Sequence, residues 1–322
     1  MKVLITGGDG FIGSATLRYL ALTKLHDAVG MVRPKKNFFP ELPLEYRFFD
    51  LLFAENDGPN LKDIDVVVHT AAMVHRTNNF QKNFSEGFMK MNCNATLKLA
   101  EHAAKEGVKR FIFLSSIKVN GEKSELNKPF RYDDPKIGDD PYGKSKSKAE
   151  MGLLKIASNT SLDVTIIRPP LVYGPGVKAN FASLLKFASR NIPLPLGSIN
   201  NKRSFVALDN LISLIVTCID HPKAANEIFL VSDGEDISTE KLYTIMSEAL
   251  GKKALVFKFD KKILKRIFLF FGISSIINRL CDDLRVDIQH TKDTLDWNPV
   301  ISILDGVKKC VPQEKRNKSK SM

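Results

Sequence analysis

The sequence has few cysteines and no long apolar run. Four cysteines in 322 residues, none in a CxxC or zinc-type spacing, make a disulfide scaffold unexpected, and no metal site is predicted. The longest apolar run, 267–277, is too short to span a bilayer. The start MKVLITGG lacks the charged and apolar regions of a signal peptide. These absences predict a cytoplasmic protein with reduced thiols.

Basic residues outnumber acidic residues, 48 to 36, and the net charge is +12. Segment 252–266 has seven basic residues and one acid, and segment 308–322 has six and one. Neither contains a nucleic-acid-binding motif, so no nucleic-acid partner is predicted. We expect a disordered, solvated tail over 308–322. For 261–280 two interpretations stand: a lid or packing helix, or peripheral association with an anionic membrane.

Apolar runs alternate with helical patterns through the first half of the chain. The runs are rich in β-branched residues and nearly continuous, as in strands buried on both faces. This alternation predicts an α/β fold with a doubly wound parallel sheet. The predicted strands are 2–6, 28–33, 65–71, 110–116 and 164–169, and the predicted helices are 11–24, 88–107 (ending at Gly107) and 142–158.

A glycine-rich stretch, LITGGDGFIGSA (4–15), follows the first strand and opens the first helix. Its spacing Gly7-x-x-Gly10-x-x-Gly13 lets the backbone approach a pyrophosphate, whose charge is met by the helix N-terminus. Ser14 stands where a P-loop needs lysine, which disfavours a nucleotide triphosphatase. The stretch predicts a dinucleotide site in a Rossmann-type domain over 1–169. A smaller mixed α/β substrate region over 170–307 should follow it, with part of the chain returning to the sheet.

The end of the second strand distinguishes NAD from NADP. An NAD-selective site usually carries an acid about twenty residues after the glycines, where it holds the ribose 2′-hydroxyl. Arg33, followed by Lys35 and Lys36, stands there instead, so the cofactor is NAD or NADP, with NADP favoured. Alternatively, Arg33 stacks on adenine or faces solvent. Asp50, after a further short strand, is either an acceptor for the adenine amino group or a capping residue.

Tyr142 and Lys146 are four residues apart on a predicted helix, so both side chains project from one face. An ammonium group about 4 Å from the phenol supplies roughly 4 kcal/mol at an effective dielectric constant of 20. That energy would bring a tyrosine pKa of about 10 close to neutrality. We therefore expect Lys146 to lower the pKa of Tyr142, which would serve as an acid or base.

Together these segments resemble the extended short-chain dehydrogenase/reductase family, which includes nucleotide-sugar epimerases, dehydratases and keto-reductases. The resemblance covers nearly the whole chain. It is carried by TGGDGFIG (6–13), HTAA (69–72), MNCNAT (91–96), SSIKVNG (115–121), YGKSK (142–146), RPPLVYGPG (168–176), RSFVALDNL (203–211) and LDWNP (295–299).

The resemblance implies a catalytic triad of Ser116, Tyr142 and Lys146. Aligning the chain on Gly121 makes Ser116, not Ser115, the family's catalytic Ser/Thr. The resemblance also implies a homodimer formed through the helices 88–107 and 142–158. The implied cofactor-binding residues are Gly7, Gly10, Phe11, Ile12, Gly13, Arg33, Asp50, Leu51, Ala71, Ala72, Asn92 and Lys146.

Two residues narrow the reaction that the resemblance implies. The family's 4,6-dehydratases carry an Asp–Glu pair directly after the catalytic Ser/Thr, where this chain has Ile117 and Lys118. Dehydration is therefore not expected. Two reactions at C4 of a UDP-sugar are left: a reduction of a 4-keto sugar by NAD(P)H, and an epimerisation with tightly bound NAD.

The chain looks similar to bacterial O-antigen proteins that are either UDP-glucose 4-epimerases or UDP-4-keto-N-acetylhexosamine reductases, and Arg33 favours the reductase. Its substrate would be a UDP-2-acetamido-2,6-dideoxy-4-keto-hexose, reduced to the UDP-QuiNAc type for lipopolysaccharide biosynthesis. A UDP-glucose or UDP-N-acetylglucosamine 4-epimerase is the alternative. A non-catalytic NAD(P)-sensing protein is a third hypothesis, but such proteins often lose the Tyr or Lys that this chain retains.

The expected UDP-sugar contacts lie mainly in the second half of the chain. Asn180 and Arg203 match family positions that contact the diphosphate, and a guanidinium group suits phosphate geometry. Lys118 and Arg279 are further candidates. Leu171 stands where many UDP-hexose epimerases have Asn, a departure from their usual set of contacts.

Overall fold

The short apolar runs of the sequence form a parallel sheet. The computed structural model describes residues 1–34, 42–52, 58–74, 84–135, 138–270 and 274–311. Its strands are β1 (Lys2–Thr6), β2 (Asp27–Val32), β3 (Glu45–Phe48), β4 (Val66–His69), β5 (Arg110–Leu114), β6 (Asp163–Arg168), β7 (Leu171–Tyr173), β8 (Phe205–Ala207) and β9 (Ile228–Leu230). Seven of these form one sheet in the order β3–β2–β1–β4–β5–β6–β9, and all neighbours are parallel.

Helices cover both faces of this sheet, which confirms the predicted Rossmann-type, doubly wound α/β fold. Every residue of β5 is buried, as expected for a central strand. The helices are α1 (Phe11–Thr23), α2 (Phe84–Phe88), α3 (Ala95–Lys105), α4 (Pro141–Asn159), α5 (Ala179–Ser189), α6 (Leu208–Asp220), α7 (Thr239–Ala249), α8 (Lys261–Phe270), α9 (Ser274–Cys281), α10 (Gln289–Leu295) and α11 (Ile303–Cys310).

The predicted helix 88–107 differs from the structure in two ways. It begins earlier, at α2, and the chain between α2 and α3 winds as a π-helix over Met89–Asn94. Such wide turns occur frequently at functional sites. At the other end, α3 stops at Lys105, and Gly107 adopts a positive φ of 78° after it.

Residues after 169 contribute both to the main sheet and to a second core. Strand β9 pairs with β6, and α6 packs against α1 and β5. Strands β7 and β8 form a separate two-stranded parallel sheet. This sheet belongs to a second apolar core with α5, α7 and α11, which includes Tyr173, Phe181, Tyr243 and Val307.

The two basic segments have different structures. The predicted tail begins inside α11, because Lys308 and Lys309 occupy its last turn and Lys309 pairs with Asp209. The expectation of disorder is therefore wrong for 308–310, and residues 312–322 lie outside the described part. Segment 261–280 contains α8 and most of α9. Within the described ranges, no helix is long and apolar enough to cross a membrane.

The sheet brings three loops together at one edge. Strand β4 lies between β1 and β5, and parallel strands end at a common edge. The glycine-rich loop follows β1, the HTAA segment follows β4, and the paired serines follow β5. Three stretches that are far apart in the chain therefore meet where open α/β sheets bind ligands.

Candidate active site

The glycine-rich loop leaves no room for side chains at two of its glycines. Gly7 has a positive φ of 66°, and a Cβ there would lie 3.0 Å from the backbone of Ala71. A Cβ on Gly13 would lie 2.2 Å from the Gly7 carbonyl oxygen. The loop is therefore held tightly between the start of α1 and the segment that follows β4.

The N-terminus of α1 fits an anionic ligand. Gly10 occupies its N-cap in an extended conformation without a side-chain cap, and the first turn contains no acid. Backbone N–H groups at such a terminus bind phosphate. Phe11 and Ile12 are half-buried in this turn, and Ala71 and Ala72 are half-buried after β4. The residues present therefore fit the pyrophosphate of a dinucleotide.

A buried histidine lies beneath this loop. The ring of His69 contacts the Thr6 hydroxyl through Nδ1 at 2.8 Å and the Thr96 hydroxyl through Nε2 at 3.0 Å. Burial lowers the pKa of His69 to about 3, so the ring is neutral. His69 thus joins β1, β4 and α3 beneath the site. The HTAA segment indicated this place in the sequence, but its histidine was not among the predicted site residues.

Asn92 connects the segment after β4 to α4. Its Oδ1 accepts a hydrogen bond from the Met73 N–H at 2.8 Å, and its Nδ2 donates to the Met73 carbonyl at 3.0 Å. Nδ2 also donates to Ser145 Oγ at 3.2 Å. Asn92 is fully buried in the π-helical turn. Its position suits the predicted role of fixing the architecture on the cofactor side.

The residues predicted near the adenosine are less enclosed. Arg33 is exposed directly after β2, and Leu51 is half-buried. Asp50 accepts a 3.0 Å hydrogen bond from the Leu52 N–H through Oδ1, a local turn contact. Lys35 and Lys36 lie outside the described residues.

The two serines after β5 face different surroundings. Ser115 is buried and donates a 2.6 Å hydrogen bond to the Glu150 carboxylate, which also pairs with Arg168 at 2.7 Å. Ser116 is half-buried, and its Oγ accepts a 3.3 Å hydrogen bond from the Lys118 N–H. Of the two serines, Ser116 hydrogen-bonds with Tyr142, and this contact lowers the pKa of the phenol. The geometry thus favours Ser116 for the catalytic position.

Tyr142 and Lys146 lie one turn apart on α4, as predicted, but their electrostatics differ from the expectation. Burial raises the pKa of Tyr142 to about 12, against the effect of Ser116. Lys146 is 1% exposed, and its Nζ donates to the Leu114 carbonyl at 2.8 Å and lies 4.3 Å from the centre of the Phe113 ring. Burial lowers the pKa of Lys146 to about 7.

The expected lowering of the Tyr142 pKa by Lys146 is therefore not seen. The lysine faces the end of β5, and near neutral pH burial removes part of its charge. Within the described part of the chain, the hydrogen bond with Ser116 favours the tyrosinate.

Residues 117 and 118 present no carboxylate after the serine. Ile117 is buried in the main core. The Lys118 ammonium group lies 2.9 Å from Glu122 and 3.4 Å from Asp140. Neither Glu122 nor Asp140 was a predicted site residue, because their proximity to Lys118 depends on the path of the loop between β5 and α4.

Three of the four predicted substrate contacts lie in one electrostatic cluster. Lys118 lowers the pKa of Glu122 by hydrogen bonding, and the charge of Arg279 lowers it further. Burial lowers the pKa of Arg203, whose Nη1 donates to the Asp282 carbonyl at 2.8 Å, and the Arg279 charge acts in the same direction. Asn180 is exposed in the first turn of α5, and none of its described contacts joins it to this cluster.

A cavity of about 350 Å³ lies next to this cluster and is lined by residues from both predicted regions of the chain. It is lined partly by Lys123, Ser124, Asn201 and Asp282, and it contains none of the predicted catalytic residues. It adjoins the Arg203 contact through Asp282.

Comparison with known proteins identifies the family. The sequence model described as the NAD dependent epimerase/dehydratase family matches residues 3–232. The chain belongs to this family. A UDP-glucose 4-epimerase of Vibrio cholerae is 44% identical over 308 residues, covering 95% of this chain and 93% of that protein.

More distant relatives of the NAD dependent epimerase/dehydratase family have other activities. A dTDP-4-dehydro-6-deoxyglucose reductase of Escherichia coli is 24% identical, covering 96% of each chain. The solved structure of UDP-glucuronic acid 4-epimerase from Bacillus cereus in complex with NAD is 23% identical. It covers 96% of this chain and 95% of its own, with a TM-score of 0.74, and at this identity it shows the shared fold alone.

Proposed function

We propose that this protein is an NAD(P)-dependent 4-epimerase of a UDP-hexose, of the UDP-glucose or UDP-N-acetylglucosamine type. The observation that carries the proposal is the placement of Ser116, Tyr142 and Lys146 at the end of β5, on the sheet edge that also carries the glycine-rich loop. The V. cholerae relative, named a UDP-glucose 4-epimerase, supports this reaction better than the reductase favoured by the sequence.

The side chains have distinct tasks in this reaction. A dinucleotide held by the glycine-rich loop between Gly7 and Gly13 would supply the redox chemistry at C4. Tyr142 takes the proton of the C4 hydroxyl through its phenolic oxygen and later gives it back. Ser116 Oγ accepts from the Lys118 N–H and also hydrogen-bonds with the Tyr142 phenol, a position from which Ser116 would orient the sugar oxygen. Lys146, fixed on Leu114 and Phe113, maintains the shape of the end of β5.

The same geometry argues against elimination. A dehydratase needs a base and an acid next to the hydroxyl of the catalytic Ser/Thr. Ile117 has no titratable group, and Lys118 is held by Glu122 and Asp140. The intermediate ketone is therefore expected to receive its hydride back without loss of a hydroxyl group.

Charge supports the UDP-sugar as substrate. Three cationic groups, on Lys118, Arg203 and Arg279, interact in this cluster with the acidic residues Glu122, Asp282 and Asp283. A diphosphate would suit the two arginines, whose guanidinium groups can each form two parallel hydrogen bonds.

A 4-keto-reductase is the second candidate. The observation that favours it is Arg33, exposed after β2 where an acid would favour NAD. An exchangeable NADPH would fit a net reduction of a UDP-2-acetamido-2,6-dideoxy-4-keto-hexose, whereas an epimerase retains its cofactor through the cycle.

Purified protein tests both candidates. An epimerase should contain bound cofactor and interconvert UDP-glucose with UDP-galactose, or UDP-N-acetylglucosamine with UDP-N-acetylgalactosamine, without net consumption of NAD(P)H. Stoichiometric oxidation of NAD(P)H by a UDP-4-keto-6-deoxy-N-acetylhexosamine, with no interconversion, would instead establish the reductase. Tyr142→Phe should abolish turnover and retain cofactor binding, and it serves as the control for contaminating activity.

A further inference from the structure

Lys118 contacts Ser116 directly and is connected to Tyr142 through Asp140. Its backbone N–H donates to Ser116 Oγ at 3.3 Å. Its ammonium group lies 3.4 Å from Oδ1 of Asp140. The same Asp140 oxygen is the N-cap of α4 and accepts a 3.1 Å hydrogen bond from the Tyr142 N–H. A continuous chain of contacts thus leads from the serine to the tyrosine backbone through Lys118.

The backbone of Lys118 is also pressed against the start of α4. A Cβ on Gly138 would lie 2.1 Å from the Lys118 carbonyl oxygen, and one on Gly143 would lie 2.7 Å from it. Two glycines, one before α4 and one in its first turn, therefore permit this close approach. Glu122 holds the ammonium group from the other side at 2.9 Å. Lys118 consequently has little freedom to move relative to Tyr142.

The contact has an electrostatic consequence for Tyr142. Burial disfavours the tyrosinate, and the charge of Asp140 raises the pKa of the phenol further. A cation beside Asp140 offsets this second effect, because it neutralises the carboxylate closest to the helix start. A lysine at position 118, two residues after Ser116, therefore compensates the charge of Asp140. This role does not depend on whether the reaction includes an elimination.

The other charged groups around α4 are paired or exposed. Glu150 and Arg168 form a buried ion pair two turns farther along the helix. On the elements that pack against α4 from the other side, Glu86 and Lys90 are exposed. Within the described residues, Asp140 is the charged side chain that acts on the Tyr142 phenol, and Lys118 is the cation beside Asp140.

We propose that Lys118 is a positioning residue that joins the serine turn to the tyrosine helix through Asp140 and sets the pH range in which Tyr142 works. This inference rests on the proposed function, since it assigns Tyr142 the proton transfer. It adds a role for Lys118 that neither substrate binding nor the replacement of a dehydratase acid accounts for.

The test is the pH dependence of kcat/KM for sugar interconversion. Lys118→Met should shift the ascending limb upward by about 0.5–1 pH unit, because the Asp140 charge is then uncompensated. Lys118→Arg should retain the wild-type limb. Asp140→Asn introduced into Lys118→Met should reverse the shift, since asparagine is an equally good N-cap and carries no charge.

Lys144→Met is the matched control. Lys144 is an exposed lysine on the same helix, 3.9 Å from Asp139, and its replacement should leave the profile unchanged. An unshifted limb in Lys118→Met, or a shift that Asp140→Asn fails to reverse, would overturn the proposal while leaving the epimerase assignment intact.

The two proposals fail in different ways. If the wild type reduces a 4-keto sugar instead, Tyr142 acts as an acid, and the descending limb should move upward in Lys118→Met. If it turns over neither type of substrate, the proposed function fails. Lys118 is then tested by following tyrosinate absorbance as a function of pH in the wild type and in Lys118→Met. The titration curve of Tyr142→Phe is subtracted to isolate the signal of Tyr142. The midpoint should be higher in Lys118→Met, and equal midpoints would refute the role.

Discussion

The hydroxyl of Ser115 lies 2.6 Å from the Glu150 carboxylate, to which it donates a hydrogen bond. This contact directs Ser115 into a buried ion pair with Arg168, whereas the next residue, Ser116, contacts Tyr142. Of the two adjacent hydroxyl groups at the end of β5, that of Ser115 therefore lies in a structural ion-pair network and that of Ser116 lies beside the proposed proton-transfer group. This difference in surroundings is the basis of the first prediction.

Alanine replacements of the two serines should have opposite effects. Ser116→Ala should lower kcat by roughly 10²–10³-fold, because it removes a donor to the oxygen where negative charge develops. It should change stability little. Ser115→Ala should retain kcat but lower the free energy of unfolding by about 1–3 kcal/mol, since a buried carboxylate loses a hydrogen bond. Steady-state kinetics and urea denaturation of both variants measure this. Equal kinetic losses would show that the assignment of Ser116 is wrong.

The buried Lys146 should make the stability of the cofactor-free protein depend on pH. Its pKa is about 7 in the fold, below the value of about 10.4 expected when unfolded. The unfolded chain therefore binds more protons between about pH 7 and pH 10, so the Lys146 contribution to stability rises with pH over this window. Below about pH 7, Lys146 is protonated in the folded protein, and the full cost of burying its charge lowers the stability.

Lys146→Met isolates this contribution. As the pH is raised from 6 to about 9.5, the free energy of unfolding of the wild type should increase relative to that of Lys146→Met. The lost hydrogen bond to Leu114 adds a constant offset. Chemical denaturation across the pH series provides the data, and a difference that does not vary with pH would contradict the burial of a titrating lysine.

Replacing Gly13 should abolish cofactor binding. An alanine Cβ there would lie 2.2 Å from the Gly7 carbonyl oxygen, so the loop must open and the helix N-terminus must shift. Gly87→Ala is the matched control, because its Cβ would meet Met73 Sδ at an ordinary 3.6 Å. Isothermal titration with NAD and with NADP measures both. Undiminished binding by Gly13→Ala would count against this loop as the pyrophosphate site.

The exposed apolar and basic side chains of residues 252–270, in and before α8, predict a membrane association that depends on salt. Phe257, Ile263, Leu269 and Phe270 expose between 47% and 86% of their surface. They alternate with exposed basic residues, namely Lys252, Lys253, Lys258 and Arg266. Apolar side chains with flanking cations bind anionic bilayers. We expect co-sedimentation with vesicles that contain anionic lipid at low salt, and its loss at high salt.

Phe270→Ser should weaken this association, whereas Leu126→Ser should leave it unchanged, because Leu126 is an equally exposed apolar residue elsewhere on the surface. Binding to neutral vesicles alone, or equal effects of the two replacements, would exclude a specific role for α8. Assembly as a homodimer and a cytoplasmic location remain predictions that sedimentation and fractionation can test.

Much of the cofactor side was predictable because its determinants are local. Gly7, Gly10 and Gly13 follow a strand and open a helix, so their spacing alone indicates a phosphate loop. Tyr142 and Lys146 are one helical turn apart, a relationship that periodicity fixes. The parallel sheet likewise follows from buried strands alternating with helices.

The tertiary structure decided what depends on long-range approach. The resemblance to the family assigned the catalytic position to Ser116, but the role of Ser115 depends on Glu150 and Arg168, which reach it only in the folded chain. The pKa of Tyr142 was mispredicted because burial, which no local pattern reports, opposes the tyrosinate, and because Lys146 faces Leu114. The contact of Lys118 with Asp140 exists only because the chain between β5 and α4 returns to the serine turn. Local spacing thus determined which residues this protein offers for chemistry, and folding decided their charge states and partners, since both depend on desolvation and distance.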